Sequence, residues 1–150
     1  MKTIFNLAIR EELIERISLL TENSKPVWGK MTVCQMLKHN TYWNSWILGK
    51  GEYTYKQELL GKIFGKIALK RMIKDDNPFD RNIPTSGQFK AKEVNSNIEM
   101  EKDKWISLIN EYEKFANPRF IHDFFGKMTQ EQIGVLVFKH TDHHLRQFNV

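Results

Sequence analysis

The chain has 150 residues, of which 41% are hydrophobic and 27% charged, a composition that excludes a disordered protein and predicts one folded domain over residues 1–150. Its single cysteine, Cys34, excludes an intrachain disulfide and a four-cysteine zinc site. The net charge of +5 is compatible with a polyanionic partner or with an ordinary basic surface, so charge alone does not identify a partner.

The N-terminal segment resembles neither a signal peptide nor a membrane anchor. Acidic Glu11 and Glu12 occur before any apolar run of sufficient length, and no stretch of 18 apolar residues follows. We therefore expect a cytoplasmic protein that makes no contact with membranes.

Two helices are predicted in the first third of the chain. Residues 6–20 show apolar positions near helical spacing, and Asn6 is a suitable N-cap. A second helix is predicted over residues 33–48, because Thr32 and Gln35 have the spacing of a capping box and glycines follow at 49 and 51.

A third helix is predicted over residues 55–74, although Gly61 and Gly65 weaken it by about 1 kcal/mol each relative to alanine. Its helical pattern is formed by apolar residues, namely Leu59, Leu60, Ile63, Phe64, Ile67 and Met72. Residues 75–92 contain Pro78 and Pro84 without a clear period, which indicates a long irregular connection.

The last third of the chain predicts two more helices. One covers residues 93–115 and stops before Pro118, and the other starts at a capping box formed by Thr129 and Gln132 and runs toward Gln147. No segment has the period of a strand. The predicted fold is therefore all-α, with helices packed antiparallel around one core.

Histidines lie on apolar stripes of two predicted helices. His140 and His144 are four residues apart, but His140 and His143 form an equally regular row, and periodicity does not choose between them. Asp142, about 200° around the helix from His140, is expected to face solvent. His39 lies on helix two, in a row with tryptophans.

Two helices that both turn histidines inward could build a divalent-metal site where they face each other in the core. The alternative is that each histidine is a hydrogen-bonded structural residue, which is the commoner role for a lone histidine. Several neutral imidazoles in an apolar core favour a metal, because an ion satisfies one nitrogen of each ring.

Four sequence boxes resemble the DinB-like, or YfiT-like, superfamily of metal-dependent four-helix bundles, and in particular a subgroup of uncharacterised DinB-like proteins. They are residues 28–32 (WGKMT), 35–39 (QMLKH), 122–126 (HDFFG) and 139–148 (KHTDHHLRQF). The resemblance implies an antiparallel four-helix bundle whose metal ligands are His39, His140 and His144. Leu145 and Asp123 depart from the usual motifs. These departures do not affect the implied metal ligands, but they do not allow substrate residues to be assigned from the resemblance.

The resemblance also implies a function: a metal-dependent transferase or hydrolase that activates a thiol or water at an open three-histidine site. Three imidazoles leave a coordination position open and suit zinc or nickel. The expected partner is a small molecule such as a low-molecular-weight thiol; nucleic acid is not expected, and a homodimer is left open. The alternatives are a purely structural metal or a non-enzymatic protein that binds through the basic row Lys62, Lys66, Lys70 and Lys74.

Other residues that attract notice are interpreted as structural. Cys34 is predicted to be a small buried hydrophobe, His122 to bond to backbone, and Trp43 and Trp46 to pack in the core. Candidates for holding the free ring nitrogens of the ligands are Asn40, Asn44 and Gln147.

Overall fold

The computed structural model describes residues 1–83, 87–92 and 96–150. Its elements are the helices α1 (Leu7–Ser18), α2 (Val33–Leu48), α3 (Leu59–Met72), α4 (Ile98–Glu111) and α5 (Gln130–Gln147), with 3-10 turns at Gly87–Phe89 and Tyr112–Lys114. The described residues contain no strand, only an isolated bridge between His122 and Gly126. The all-α prediction is confirmed. None of the helices in these three ranges is long and apolar enough to cross a membrane.

Local capping signals determine where three of the helices begin. The Asn6 side chain accepts a hydrogen bond from the Ala8 backbone N–H at 2.9 Å, and the predicted capping boxes at Thr32 and Thr129 are both formed. At the end of α2, Gly49 adopts a φ of 74°, a left-handed conformation that glycine adopts without strain. These contacts satisfy backbone groups that a helix end leaves without partners.

Helices one, three and four differ from their predicted bounds. α1 ends at Ser18, two residues before the predicted Leu20. α3 begins at Leu59 rather than at 55, and the Tyr55 hydroxyl instead donates to the Trp46 carbonyl at 2.7 Å.

α4 ends at Glu111 and is followed by the 3-10 turn at Tyr112–Lys114, which ends one residue before the predicted Phe115. α4 begins at Ile98 with Asn97 as its N-cap, so residues 96 and 97 of the predicted helix are not helical. The predicted start at Glu93, and Pro84 of the irregular connection, lie outside the described residues.

The core lies between α1, α2, α4 and α5. α2 and α4 share the most extensive contact, α1 contacts α4 and α5, and α2 also contacts α5. Trp105 and Tyr112 are completely buried there, and the Tyr112 hydroxyl donates to Asn44 Oδ1 at 2.9 Å. The contact of α2 with α5 brings together the two helices that carry the histidines.

α3 packs through its glycines rather than through its large apolar residues. A Cβ atom at Gly61 would lie 2.3 Å from the Phe124 carbonyl oxygen, and one at Gly65 would lie 2.1 Å from the same atom. Gly61, Gly65 and Leu69 form the buried row of the helix. Helical periodicity predicted this element but did not show which of its faces is buried.

We expect Gly65→Ala to destabilise the protein by about 1–3 kcal/mol, because the added methyl group overlaps backbone that cannot move without shifting α3. This outweighs the gain of about 1 kcal/mol in helix propensity. Chemical denaturation would measure the difference, with Lys70→Ala on the exposed side of the same helix as control. A Gly65→Ala protein at least as stable as the control would contradict this packing.

Candidate metal centre

Three histidines from two helices converge at one point of the interior. One ring nitrogen from each of His39, His140 and His144 lies within 4.8 Å of the other two, and the Nε2 atoms of His39 and His140 are 3.1 Å apart. Nitrogen ligands of one ion at about 2.0–2.1 Å lie about 3–4 Å from each other. This group could therefore hold a metal ion after small ring adjustments.

The proton of His39 is fixed by the irregular connection between α3 and α4. The His39 Nδ1–H donates to the Phe89 carbonyl at 3.0 Å. Because a neutral imidazole carries one proton, Nε2 is left with a free lone pair directed at His140. Phe89 is itself buried against Trp46, at a ring-centroid distance of 5.0 Å, which holds this carbonyl in place.

His144 is oriented in the same way by a glutamine one turn later. Its Nδ1–H donates to Gln147 Oε1 at 2.9 Å, while Gln147 Nε2 donates to the Trp28 carbonyl at 3.0 Å. The second bond fixes which end of the amide faces the histidine. A Cβ at Gly29, whose φ is 78°, would lie 2.8 Å from Gln147 Nε2, so glycine leaves room for the amide.

His140 is held in place by stacking on a tryptophan. Its ring lies against Trp43, with centroids 3.9 Å apart and planes inclined by 19°. Its Nδ1 is buried and has no hydrogen-bond partner. Trp43 thus packs in the core, as predicted, and also supports a histidine of the cluster.

Without a cation, no proton placement on His140 satisfies the cluster. A proton on Nε2 bonds to His39 but leaves the buried Nδ1 lone pair of His140 without a donor. A proton on Nδ1 instead turns the lone pairs of His39 and His140 toward each other at 3.1 Å. A divalent ion would satisfy all three Nε2 lone pairs at once, so the residues fit a metal. The Nδ1 of His140 lacks a protein partner with or without the ion.

The electrostatic environment keeps the three rings neutral. Desolvation by the surrounding protein lowers the pKa of His39, and it lowers the pKa values of His140 and His144 well below the usual range. The neighbouring imidazoles lower the pKa values of His140 and His144 further. Neutral imidazoles are the form that binds metals, so near pH 7 the cluster requires no deprotonation.

The cluster opens onto a cavity of about 570 Å³. The three histidines form part of its wall, and most of the other lining side chains are apolar: Trp43, Ala68, Met72, Phe79, Ile83, Phe89, Phe124, Phe125 and Leu136. Glu58, His122, Asp123 and His143 add polar groups. A cavity of this size and character is typical of small-molecule sites.

His143 and Asp142, two further polar residues on α5, lie in different surroundings. His143 lines the cavity, packs against Trp28 and Phe79, and is not in the three-histidine group. The prediction that Asp142 faces solvent is wrong, because this residue is only 6% exposed. α5 is buried on most of its circumference, and Arg16 and Arg146 bond to the Asp142 carboxylate at 2.8 and 2.7 Å.

The structural roles predicted for other residues are confirmed. Cys34 is buried, and Trp46 packs against Phe120. His122 bonds to backbone, since its Nδ1 accepts from the Phe124 N–H at 3.1 Å, but it also lines the cavity.

Sequence reasoning identified only one of the residues that hold ligand rings. Gln147 bonds to His144, whereas the side chains of Asn40 and Asn44 donate within α2, to the Met36 and Asn40 carbonyls. The Phe89 carbonyl was missed. A backbone carbonyl 50 residues from its histidine carries no signal in the sequence.

We expect Gln147→Met to weaken metal binding about 10–100-fold, because the His144 ring loses the acceptor that fixes its proton and orientation. Competition with a coloured chelator would measure this affinity. Gln130→Met, at an exposed position at the start of the same helix, is the matched control and should bind as the wild type does. Equal affinity of both variants would show that the Gln147 contact does not support a ligand.

These features define an all-helical protein with a largely buried three-histidine cluster that could hold a metal ion. The chain belongs to the family described as "Protein of unknown function (DUF1569)", which matches residues 7–150. No curated protein and no solved structure matches the chain.

Proposed function

We propose that this protein is a metal-dependent enzyme of the transferase or hydrolase type, in which His39, His140 and His144 hold one divalent ion, zinc or nickel. In this proposal α1, α2, α4 and α5 form a DinB-like four-helix bundle, in keeping with the contacts among these helices. The protein acts in the cytoplasm.

One observation carries the proposal: the Nε2 atoms of His39 and His140 lie 3.1 Å apart, while the proton of His39 is committed to the Phe89 carbonyl. Two unprotonated ring nitrogens at this distance repel each other through their lone pairs unless a proton or a cation lies between them. His144 adds a third ring whose proton is also committed away from the cluster, to Gln147. Three converging lone pairs on neutral imidazoles suit a divalent ion better than a proton.

The bound ion would supply Lewis acidity, which makes hydroxide or thiolate available near neutral pH. The side chains and backbone around the site would orient the ligands. Phe89 and Gln147 hold two of the ligand rings in place, and Trp43 supports the third.

The cavity supports a small-molecule substrate, for which a low-molecular-weight thiol and an electrophile are the expected pair. Phe79, Phe89 and Leu136 provide apolar surface close to the histidines. A structural metal site is normally closed by four protein ligands. A three-histidine group beside a cavity therefore favours an enzyme over a purely structural metal. Among the described residues the ligand group has three members.

Ligand titration of cobalt-substituted protein tests the open position. Azide or a small thiol should change the visible absorption spectrum of the wild type, whereas a His144→Ala sample should not show the wild-type response. Metal-loaded protein should then turn over thiol cosubstrates with ester or epoxide electrophiles. A loaded wild-type protein whose spectrum responds to no added ligand would contradict an open site and indicate a structural metal.

A further inference from the structure

The outward face of α3 is the most apolar exposed surface on any one helix. Five large apolar side chains in its first three turns are between 55% and 75% exposed: Leu59, Leu60, Ile63, Phe64 and Ile67. Exposed apolar residues elsewhere, such as Leu7 on α1 and Met100 on α4, do not form a cluster of this size on one helix. Because the glycine row faces the protein, this surface cannot turn inward. A contiguous apolar face of this kind marks an interaction surface.

The same helix carries only one sign of charge. Lys62, Lys66, Lys70 and Arg71 lie within α3, which contains no acidic residue. Lys62, Lys66, Lys70 and Arg71 are all exposed. If two copies packed through this face, eight positive charges would meet with no acidic side chain from either helix to offset them. An anionic partner is complementary in charge where a second copy is not.

The surface is the outer side of one helix. The glycine side of the helix packs against the Phe124 backbone, and the apolar side chains project from the opposite side. The exposed face is therefore convex. Apolar residues along one side of a helix, flanked by lysine and arginine, are typical of helices that lie in the membrane–water interface. The helix has 14 residues, which is too short to span a bilayer.

We propose that α3 docks this protein on the surface of anionic lipid bilayers. Leu60, Ile63 and Phe64 enter the boundary between headgroups and acyl chains, and the lysines bind lipid phosphates. This proposal differs from the expectation from sequence that the protein makes no contact with membranes. The proposal does not depend on metal binding at the histidines.

Flotation with lipid vesicles tests the proposal on the full chain. The wild type should float with vesicles of phosphatidylglycerol and phosphatidylcholine at low salt, but not with phosphatidylcholine alone, and high salt should weaken binding. Ile63→Ser/Phe64→Ser and, separately, Lys62→Gln/Lys70→Gln should each lower vesicle binding at least about tenfold. Matched controls are Leu7→Ser/Leu19→Ser and Lys25→Gln/Lys114→Gln, at exposed positions outside α3.

Three results would overturn the proposal. The first is a wild type that stays with the soluble fraction on anionic vesicles at low salt, and the second is an equal loss of binding in the controls. The third is a dimer in light scattering that Ile63→Ser/Phe64→Ser converts to a monomer, since the apolar face would then belong to a second copy. The melting temperature of each variant should equal that of the wild type, which would show that the substitutions act on the surface and not on folding.

Discussion

Chelation of the divalent ion proposed at the three histidines should lower the melting temperature of this protein by about 10 °C. A ligand that binds only the folded state at 100 to 1,000 times its dissociation constant adds about 3–4 kcal/mol to the free energy of unfolding. For a chain of 150 residues, each kcal/mol corresponds to about 2–4 °C. The ion would bind only the folded state, because the three histidines come from α2 and α5 and meet only when these helices pack together.

The histidine variants make this prediction specific. His39→Ala, His140→Ala and His144→Ala should show no increase in melting temperature on addition of zinc or nickel, whereas His143→Ala should respond as the wild type does. His143 is the matched control because it lies on the same helix and lines the same cavity. A metal-dependent increase that survives in His140→Ala but disappears in His143→Ala would contradict the ligand set.

The metal-free protein should lose stability steeply as the pH falls below about 6.5. Desolvation lowers the pKa values of His39, His140 and His144 in the folded state below the 6.5 of an exposed histidine. Below pH 6.5 the unfolded chain therefore binds more protons than the folded chain, and unfolding becomes more favourable. The free energy of unfolding should fall by up to about 1.4 kcal/mol per pH unit for each histidine until its folded-state pKa is reached.

Denaturant unfolding at several pH values between 8 and 5 would measure this dependence. His140→Leu removes one of the buried imidazoles and should show a shallower fall in stability than the wild type. Comparing the two proteins cancels the contribution of carboxylates that titrate at the lower end of the range. Identical slopes for wild type and His140→Leu would show that His140 is not held neutral by the fold.

Local sequence signals predicted the elements of this fold well. Asn6, Thr32 and Thr129 each form the cap that their spacing indicated, and the helices that follow them begin where expected. These signals work because a cap depends on residues only two or three positions away. The orientation of α3 was not predictable in the same way. Its inward face depends on backbone contact between Gly65 and Phe124, which are distant in sequence.

The candidate site could be predicted only as a set of rings on two helices. Periodicity placed His39 and His140 on apolar stripes but left His143 and His144 as alternatives, and the resemblance to DinB-like proteins was needed to choose His144. The partners that fix the rings come from elsewhere in the chain, as the Phe89 carbonyl does for His39. Asp142 was misplaced for a related reason: its burial depends on Arg16, contributed by α1.

Elemental analysis of protein purified without a histidine tag tests the central claim most directly. We predict about one divalent ion per chain in the wild type and in His143→Ala, and close to none in His39→Ala, His140→Ala and His144→Ala. A wild-type protein that carries no divalent metal after growth and purification with zinc and nickel supplied would contradict the claim, and the histidines would then be structural core residues.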